Sequence, residues 1–191
     1  MKLKIGFFAI MLVLSLLLSP TLLSLCAALA ALLHELGHVA MAAVCGIRLR
    51  ECQIGIYGAG LVPDGGVYSY GQEIALCLAG PLVNLLCASV GLWFLNENAG
   101  AFWANFVFSS LALGLLNLLP IRGFDGGRIL GAFLLRFCSA RTVECVTAVL
   151  SFLCVFLLWC CSVYLLIRFV ASLSLFIFSL SLFSRIFLSE K

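Results

Sequence analysis

The chain has 191 residues, of which 64% are hydrophobic and 10% charged. That balance excludes a soluble domain, and the continuous apolar runs exclude the alternating pattern of a membrane β-barrel. The net charge of +3 selects no partner and gives no ground for expecting nucleic acid; it matters through where Lys and Arg fall between the apolar runs.

Met1 to Ser19 sets Lys2 and Lys4 before an apolar run, the outline of a signal peptide. Cleavage near Ala28 or Ala30 would leave the helix that follows with about 15 residues, ~22 Å, too short to span comfortably. The segment is therefore read as a retained first span over about 5–19. Ser19-Pro20-Thr21 breaks the helix. A second span follows over about 22–45.

Residues 46–72 differ in kind, with Arg48, Arg50, Glu51, Asp64 and seven glycines. Asp64-Gly65-Gly66 is a turn signal between two groups with strand character: Ile54, Ile56 and Tyr57 before it, Val67, Tyr68 and Tyr70 after it. The segment reads either as a small β-hairpin at the membrane face or as a glycine-rich loop.

The third span covers about 73–95. Within it Ala79-Gly80-Pro81 marks a kink or thin point, and Asn84 one turn later reads as a packing asparagine ahead of a second candidate donor. Residues 96–100 form a polar loop. The fourth span, about 101–137, is broken near 120–127 by Pro120-Ile121-Arg122-Gly123-Phe124-Asp125-Gly126-Gly127. Such a break at membrane depth survives only when packed in protein or lining a wet cavity. Two more spans are expected over about 143–166 and 170–188, divided near Arg168.

The expected fold is thus an all-α polytopic membrane protein with about six transmembrane helices, a broken fourth helix and a small β-hairpin segment after the second. The whole of 1–191 reads as one domain, with no PDZ or CBS domain. Lys2, Lys4, Arg48, Arg50, Arg136, Arg141, Arg185 and Lys191 all fall on one side of this arrangement, and only Arg168 disagrees. The positive-inside rule then makes both termini cytoplasmic. The ten cysteines contain no C-x-x-C pair. They read as small hydrophobes, not as a disulfide framework or a thiolate metal site.

The chemistry centres on His34-Glu35-Leu36-Gly37-His38 in the second span. On a helix His34 and His38 stack one turn apart on one face. At that spacing they can hold one zinc ion, with Glu35 acting on its water. Ionisable groups within a bilayer cost roughly 2.5–3.5 kcal/mol each on insertion scales, so three in five residues argue for use. In the six-span arrangement Asp125 lies at a depth similar to the histidines, roughly 12–18 Å at 1.5 Å per residue. It can be the third ligand, with water the fourth, or simply a turn residue of an Asp-Gly-Gly loop. Asn117 is a candidate oxyanion donor or an inter-helix hydrogen-bonding residue.

The motifs His34-Glu35-Leu36-Gly37-His38, Asn117-Leu118-Leu119-Pro120 and Asp125-Gly126-Gly127, in that order, resemble the site-2 protease family of intramembrane zinc metalloproteases. Ala79-Gly80-Pro81 with Asn84 is similar to the family's third-span pattern. The nearest branch in appearance is the bacterial sporulation-factor type, which processes a pro-sigma factor. The resemblance implies one Zn(2+) per chain bound by His34, His38 and Asp125, Glu35 as catalytic base, and Asn117 in the active-site region. It also implies a membrane-tethered protein substrate, cut near the cytoplasmic face and paired with the 46–72 segment by strand addition. A membrane regulatory protein would be a further partner. The location would be a bacterial cell membrane or a spore-compartment membrane. One departure stands out: relatives often carry proline two residues before the aspartate, where this chain has Gly123. The competing readings are a non-catalytic zinc-binding membrane regulatory protein and an ion transporter. The intact Glu35 argues against the first, and the lack of repeated halves against the second.

Overall fold

The computed structural model describes residues 2–5, 21–47, 49–55, 58–63, 69–97 and 100–168. In chain order the elements are β1 (Lys2–Ile5), α1 (Leu22–Val44), β2 (Leu49–Gly55), β3 (Gly58–Pro63), α2 (Tyr70–Glu97), α3 (Ala101–Asn117), α4 (Asp125–Leu134) and α5 (Ala140–Arg168). Three stretches are long and apolar enough to cross a bilayer: Leu22–Val44, Tyr70–Glu97 and Ala140–Leu165. Helix α3 is apolar but shorter. Of the six expected spans, the last (170–188) and nearly all of the first lie outside the described residues. Ile5, expected at the head of the first span, is instead the last residue of a strand.

Helix α1 begins with a capping box. Ser24 N–H donates to Thr21 Oγ1 at 3.1 Å, and Thr21 N–H donates to Ser24 Oγ at 3.0 Å. It ends in a Schellman turn: Gly46 at φ 67° lets its own N–H reach Ala43 O and the Ile47 N–H reach Ala42 O. Ile47 and Met41 then pack on Ala42 and Leu76. Along α1, Cys26, Ala30, His34, Gly37, His38 and Ala42 are buried, while Leu25, Leu29, Leu32, Leu36 and Val39 are exposed. Small and polar groups face inward and large apolar ones outward. That is the order expected in lipid, where helices gain no hydrophobic push toward each other and associate through close packing.

Helix α2 packs against both α1 and α3. Gly37 allows the approach to α1, since a Cβ there would stand 2.8 Å from Ala79 O. Gly91 does the same toward Val107 of α3. Pro81 lies inside α2.

Strands β1, β2 and β3 form one sheet in that order, β1 parallel to β2 and β2 antiparallel to β3. The second strand is not the one expected after Asp64-Gly65-Gly66. It is Gly58–Pro63, and its pairing with β2 closes on Gly55 opposite Gly58. Tyr70 opens α2 instead, because Ser69 and Gln72 form a helix-starting box: Ser69 N–H donates to Gln72 Oε1 at 2.9 Å and Gln72 N–H to Ser69 Oγ at 3.2 Å. Residues 64–68, with the expected turn, lie outside the described residues.

The break between α3 and α4 is fastened to α5. Ile121 and Phe124 are buried against Val155, with Leu119, Cys154 and Leu158 around them. Ser151 Oγ accepts the Arg122 N–H at 2.8 Å and donates to Thr147 O at 2.6 Å. The Arg122 guanidinium reaches Thr147 Oγ1 and the Glu144 carbonyl. Backbone and side chain of the irregular segment thus find partners where lipid offers none. Gly123 sits at φ 93°. Proline, fixed near −65°, cannot take that conformation, so this chain makes the turn in its own way.

Candidate metal centre

His34 and His38 stand one turn apart on the buried face of α1, 4% and 5% exposed. Their rings meet edge to face with centroids 4.8 Å apart. Asp125, the first residue of α4, reaches them from across the break. Its Oδ2 lies 3.1 Å from His34 Nε2 and 3.3 Å from His38 Nε2, and the two Nε2 atoms are 3.1 Å apart. Donors about 2.0–2.1 Å from a tetrahedral zinc stand about 3.3 Å from one another. The three atoms therefore have the dimensions of one face of such a site.

Gly80 supplies a second test of fit. A Cβ at Gly80 would meet His38 Nε2, and would lie 2.6 Å from His38 Cε1 and 2.8 Å from His34 Nε2. The glycine keeps the α2 side of the triangle free of side chain. Two imidazoles and a carboxylate are also a donor set used by catalytic zinc. The residues present fit the ion.

Helix α2 also touches the far side of each imidazole. His38 Nδ1 lies 2.8 Å from Leu76 O. A carbonyl only accepts, so His38 donates from Nδ1, which leaves Nε2 as the ring atom that faces the triangle. His34 Nδ1 lies 3.2 Å from the side-chain amide of Asn84. Arg128 and Glu73, 3.6 Å apart, tie the first turns of α4 and α2 together close to this region.

The structure brings together His34, His38 and Asp125, residues from two helices 91 positions apart in the chain. Glu35 follows His34 directly on α1 and is half-buried. Asn117 is the last residue of α3 and half-buried; among the described residues its amide makes no hydrogen bond to the triangle. Three contributors were not assigned to the site from the residues alone: Leu76, Gly80 and Asn84. Asn84 was read as a packing residue. The available signal was their spacing, since 76, 80 and 84 recur every four residues and so share one face of a helix.

Residues 22–97 and 92–158 match the family model of Peptidase family M50, one segment carrying both histidines and the other the aspartate. The chain belongs to peptidase family M50. Among curated proteins it is similar to stage IV sporulation protein FB of Bacillus subtilis, 33% identical over 110 residues. That match takes in 56% of this chain and 38% of the relative. It is also similar to a zinc metalloprotease of Methanocaldococcus jannaschii, 34% identical over 112 residues, or 53% of this chain and 31% of the relative. The chain thus spans only about a third of the length of the curated relatives it matches. Its fold resembles the solved site-2 protease from Methanocaldococcus jannaschii, with a TM-score of 0.64 over 96% of this chain and 86% of that one, at 22% identity.

Proposed function

We propose that this M50 chain is an intramembrane zinc metalloendopeptidase that hydrolyses peptide bonds of membrane-associated proteins near the cytoplasmic face. The observation that carries the reading is the 3.1–3.3 Å triangle of His34 Nε2, His38 Nε2 and Asp125 Oδ2, with Glu35 beside it on α1. Those three residues would hold one zinc ion per chain. Bound there, zinc would supply Lewis acidity, of the kind that lowers the pKa of water to roughly 7. Glu35, held one residue from a ligand, takes the proton of the attacking water and passes it to the leaving amine. Asn117, at the α3 end of the break, donates its amide N–H to the carbonyl oxygen as negative charge develops. The exposed leucines of α1 put the bundle in lipid and keep bulk water from its buried face.

A helical substrate must be unwound before its peptide bond can be reached. Strand β3 pairs only with β2 among the described strands, so its other edge offers hydrogen bonds to an extended peptide. The substrate class is a membrane-tethered pro-sigma or anti-sigma factor, cut in regulated intramembrane proteolysis; the likeness to a sporulation protein supports this. Six spans with cytoplasmic termini complete the reading, in a bacterial cell or spore-compartment membrane, restrained by a membrane regulatory protein. The test is Glu35→Gln in purified protein with a membrane-tethered pro-sigma reporter. Cleavage should fall by about 10²–10⁴-fold while zinc content stays that of the unaltered chain. Unchanged cleavage would refute the role of Glu35. Zinc binding without cleavage of any tethered reporter would favour a non-catalytic zinc protein.

A further inference from the structure

We propose that Asn84 is the positioning residue of the metal centre: its side-chain carbonyl accepts the Nδ1 proton of His34 and holds that ring in the tautomer whose Nε2 lone pair faces His38 and Asp125. The inference rests on the zinc reading above and adds to it a residue that the ligand set does not contain.

Both groups are cut off from solvent, Asn84 completely and His34 at 4% exposure. A buried ring nitrogen needs a partner, because an unmade hydrogen bond in this setting costs free energy. The two histidines solve this differently. His38 faces the Leu76 carbonyl at 2.8 Å, a group that accepts and nothing else, so its tautomer has one setting. His34 Nδ1 faces Asn84 Nδ2 at 3.2 Å, one end of an amide that donates there and accepts at its other end, Oδ1.

The two ends of that amide exchange by a half-turn of the side chain. In one setting the Asn84 NH₂ donates to His34 Nδ1, and the ring proton sits on Nε2, where it can bond Asp125 Oδ2 at 3.1 Å. That pairing closes the triangle without an ion. In the other setting Asn84 Oδ1 accepts from Nδ1–H, and the neutral His34 ring keeps its lone pair on Nε2. Only the second setting presents three donor atoms to one cation. Nothing else locks the amide, since with the NH₂ on His34 the Asn84 Oδ1 is buried with no hydrogen-bond partner. The position of Asn84, in contrast, is locked. Gly114 of α3 lets Asn84 lie against it, for a Cβ there would stand 3.2 Å from Asn84 Cβ and 3.4 Å from Pro81 O. Asn84 is therefore held at the junction of α1, α2 and α3, where the setting of its amide selects which ring nitrogen of His34 carries the proton. A residue outside the ligand set that fixes the tautomer of a ligating histidine commonly affects metal affinity by 10–100-fold.

The experiment compares Asn84→Leu and Asn84→Asp, both of which keep the branched, four-heavy-atom side chain of asparagine, in detergent-purified full chain. Zinc affinity is read by chelator competition, coordination by the visible absorption of the cobalt-loaded protein, and folding by the melting temperature without metal. Asn84→Leu should bind zinc about 10–100-fold more weakly and change the cobalt spectrum, while melting no earlier than the unaltered chain. Asn84→Asp, which retains an acceptor, should recover affinity to within a few-fold and restore the spectrum. Zinc affinity unchanged in Asn84→Leu would overturn the inference. So would an Asp variant as impaired as the Leu variant, which would make the effect one of packing. An unaltered chain that binds no zinc would instead refute the metal reading beneath it.

Discussion

Gly80→Ala tests the metal centre with a single methyl group. The added Cβ would meet His38 Nε2, and would lie 2.6 Å from His38 Cε1 and 2.8 Å from His34 Nε2. Unstrained carbon contacts sit at about 3.5–4.0 Å, so the rings or α2 must give by nearly ~1 Å. Zinc–ligand distances tolerate roughly ±0.2 Å, several times less than that displacement. Zinc affinity should therefore fall by at least about 100-fold, the scale on which ~1 Å misplacements act in active sites. Helix propensity points the other way, since alanine is favoured over glycine in a helix interior by about 0.5–1 kcal/mol. Backbone helicity without metal should thus be unchanged or improved, which separates a local steric effect from misfolding. The assay is zinc stoichiometry and chelator competition on the purified variant, beside far-ultraviolet circular dichroism. A variant that is as helical as the unaltered chain and binds zinc within threefold of it would refute the reasoning.

Three further outcomes follow from the same geometry. Asp125→Ala removes the only triangle atom from outside α1, so the purified protein should lose most of its zinc; retention of about one ion per chain would reduce Asp125 to a turn residue. Ser151→Ala leaves the Arg122 N–H without the acceptor it has at 2.8 Å. The bond is only partly buried, so its loss should cost about 1 kcal/mol, the lower end of the range for an unmet donor; the melting temperature should drop and zinc affinity with it, because the same segment presents Asp125, and an unchanged melting temperature counts against the α5 anchor. Gly123→Pro, the residue relatives often carry there, should destabilise this chain, since φ 93° is closed to proline; a variant equal to or more stable than the parent would show that the turn forms another way.

The legible features were those that local rules decide. Apolar length and the proline break at residue 20 bound the histidine helix, which the structure gives as Leu22–Val44. The four-residue spacing of His34 and His38 puts them on one face through helix geometry alone. The run from Pro120 to Gly127 announces an interruption, because proline and glycine act on their own backbone.

The structure decided what depends on distant neighbours. Strand pairing is such a case: β1 joins β2 from 49 positions away, and the hairpin closes on Gly55 and Gly58, ahead of the turn signal at Asp64. Asp125 had two readings, ligand or turn residue, because its spacing to the histidines carries no local constraint. Its place 3.1 Å from His34 Nε2 depends on the buried Ile121 and Phe124 and on the Ser151 hydroxyl that accepts from Arg122. Gly80 and Asn84 belong to the same class. From the sequence they are a thin point and a polar residue in an apolar helix. They become the clearance and the hydrogen-bond partner of two imidazoles only when α1 and α2 approach closely enough for Gly37 to exclude a side chain. A histidine pair on one helix is fixed by the pitch of that helix, whereas the third donor and the groups that orient the rings are set by how the helices pack.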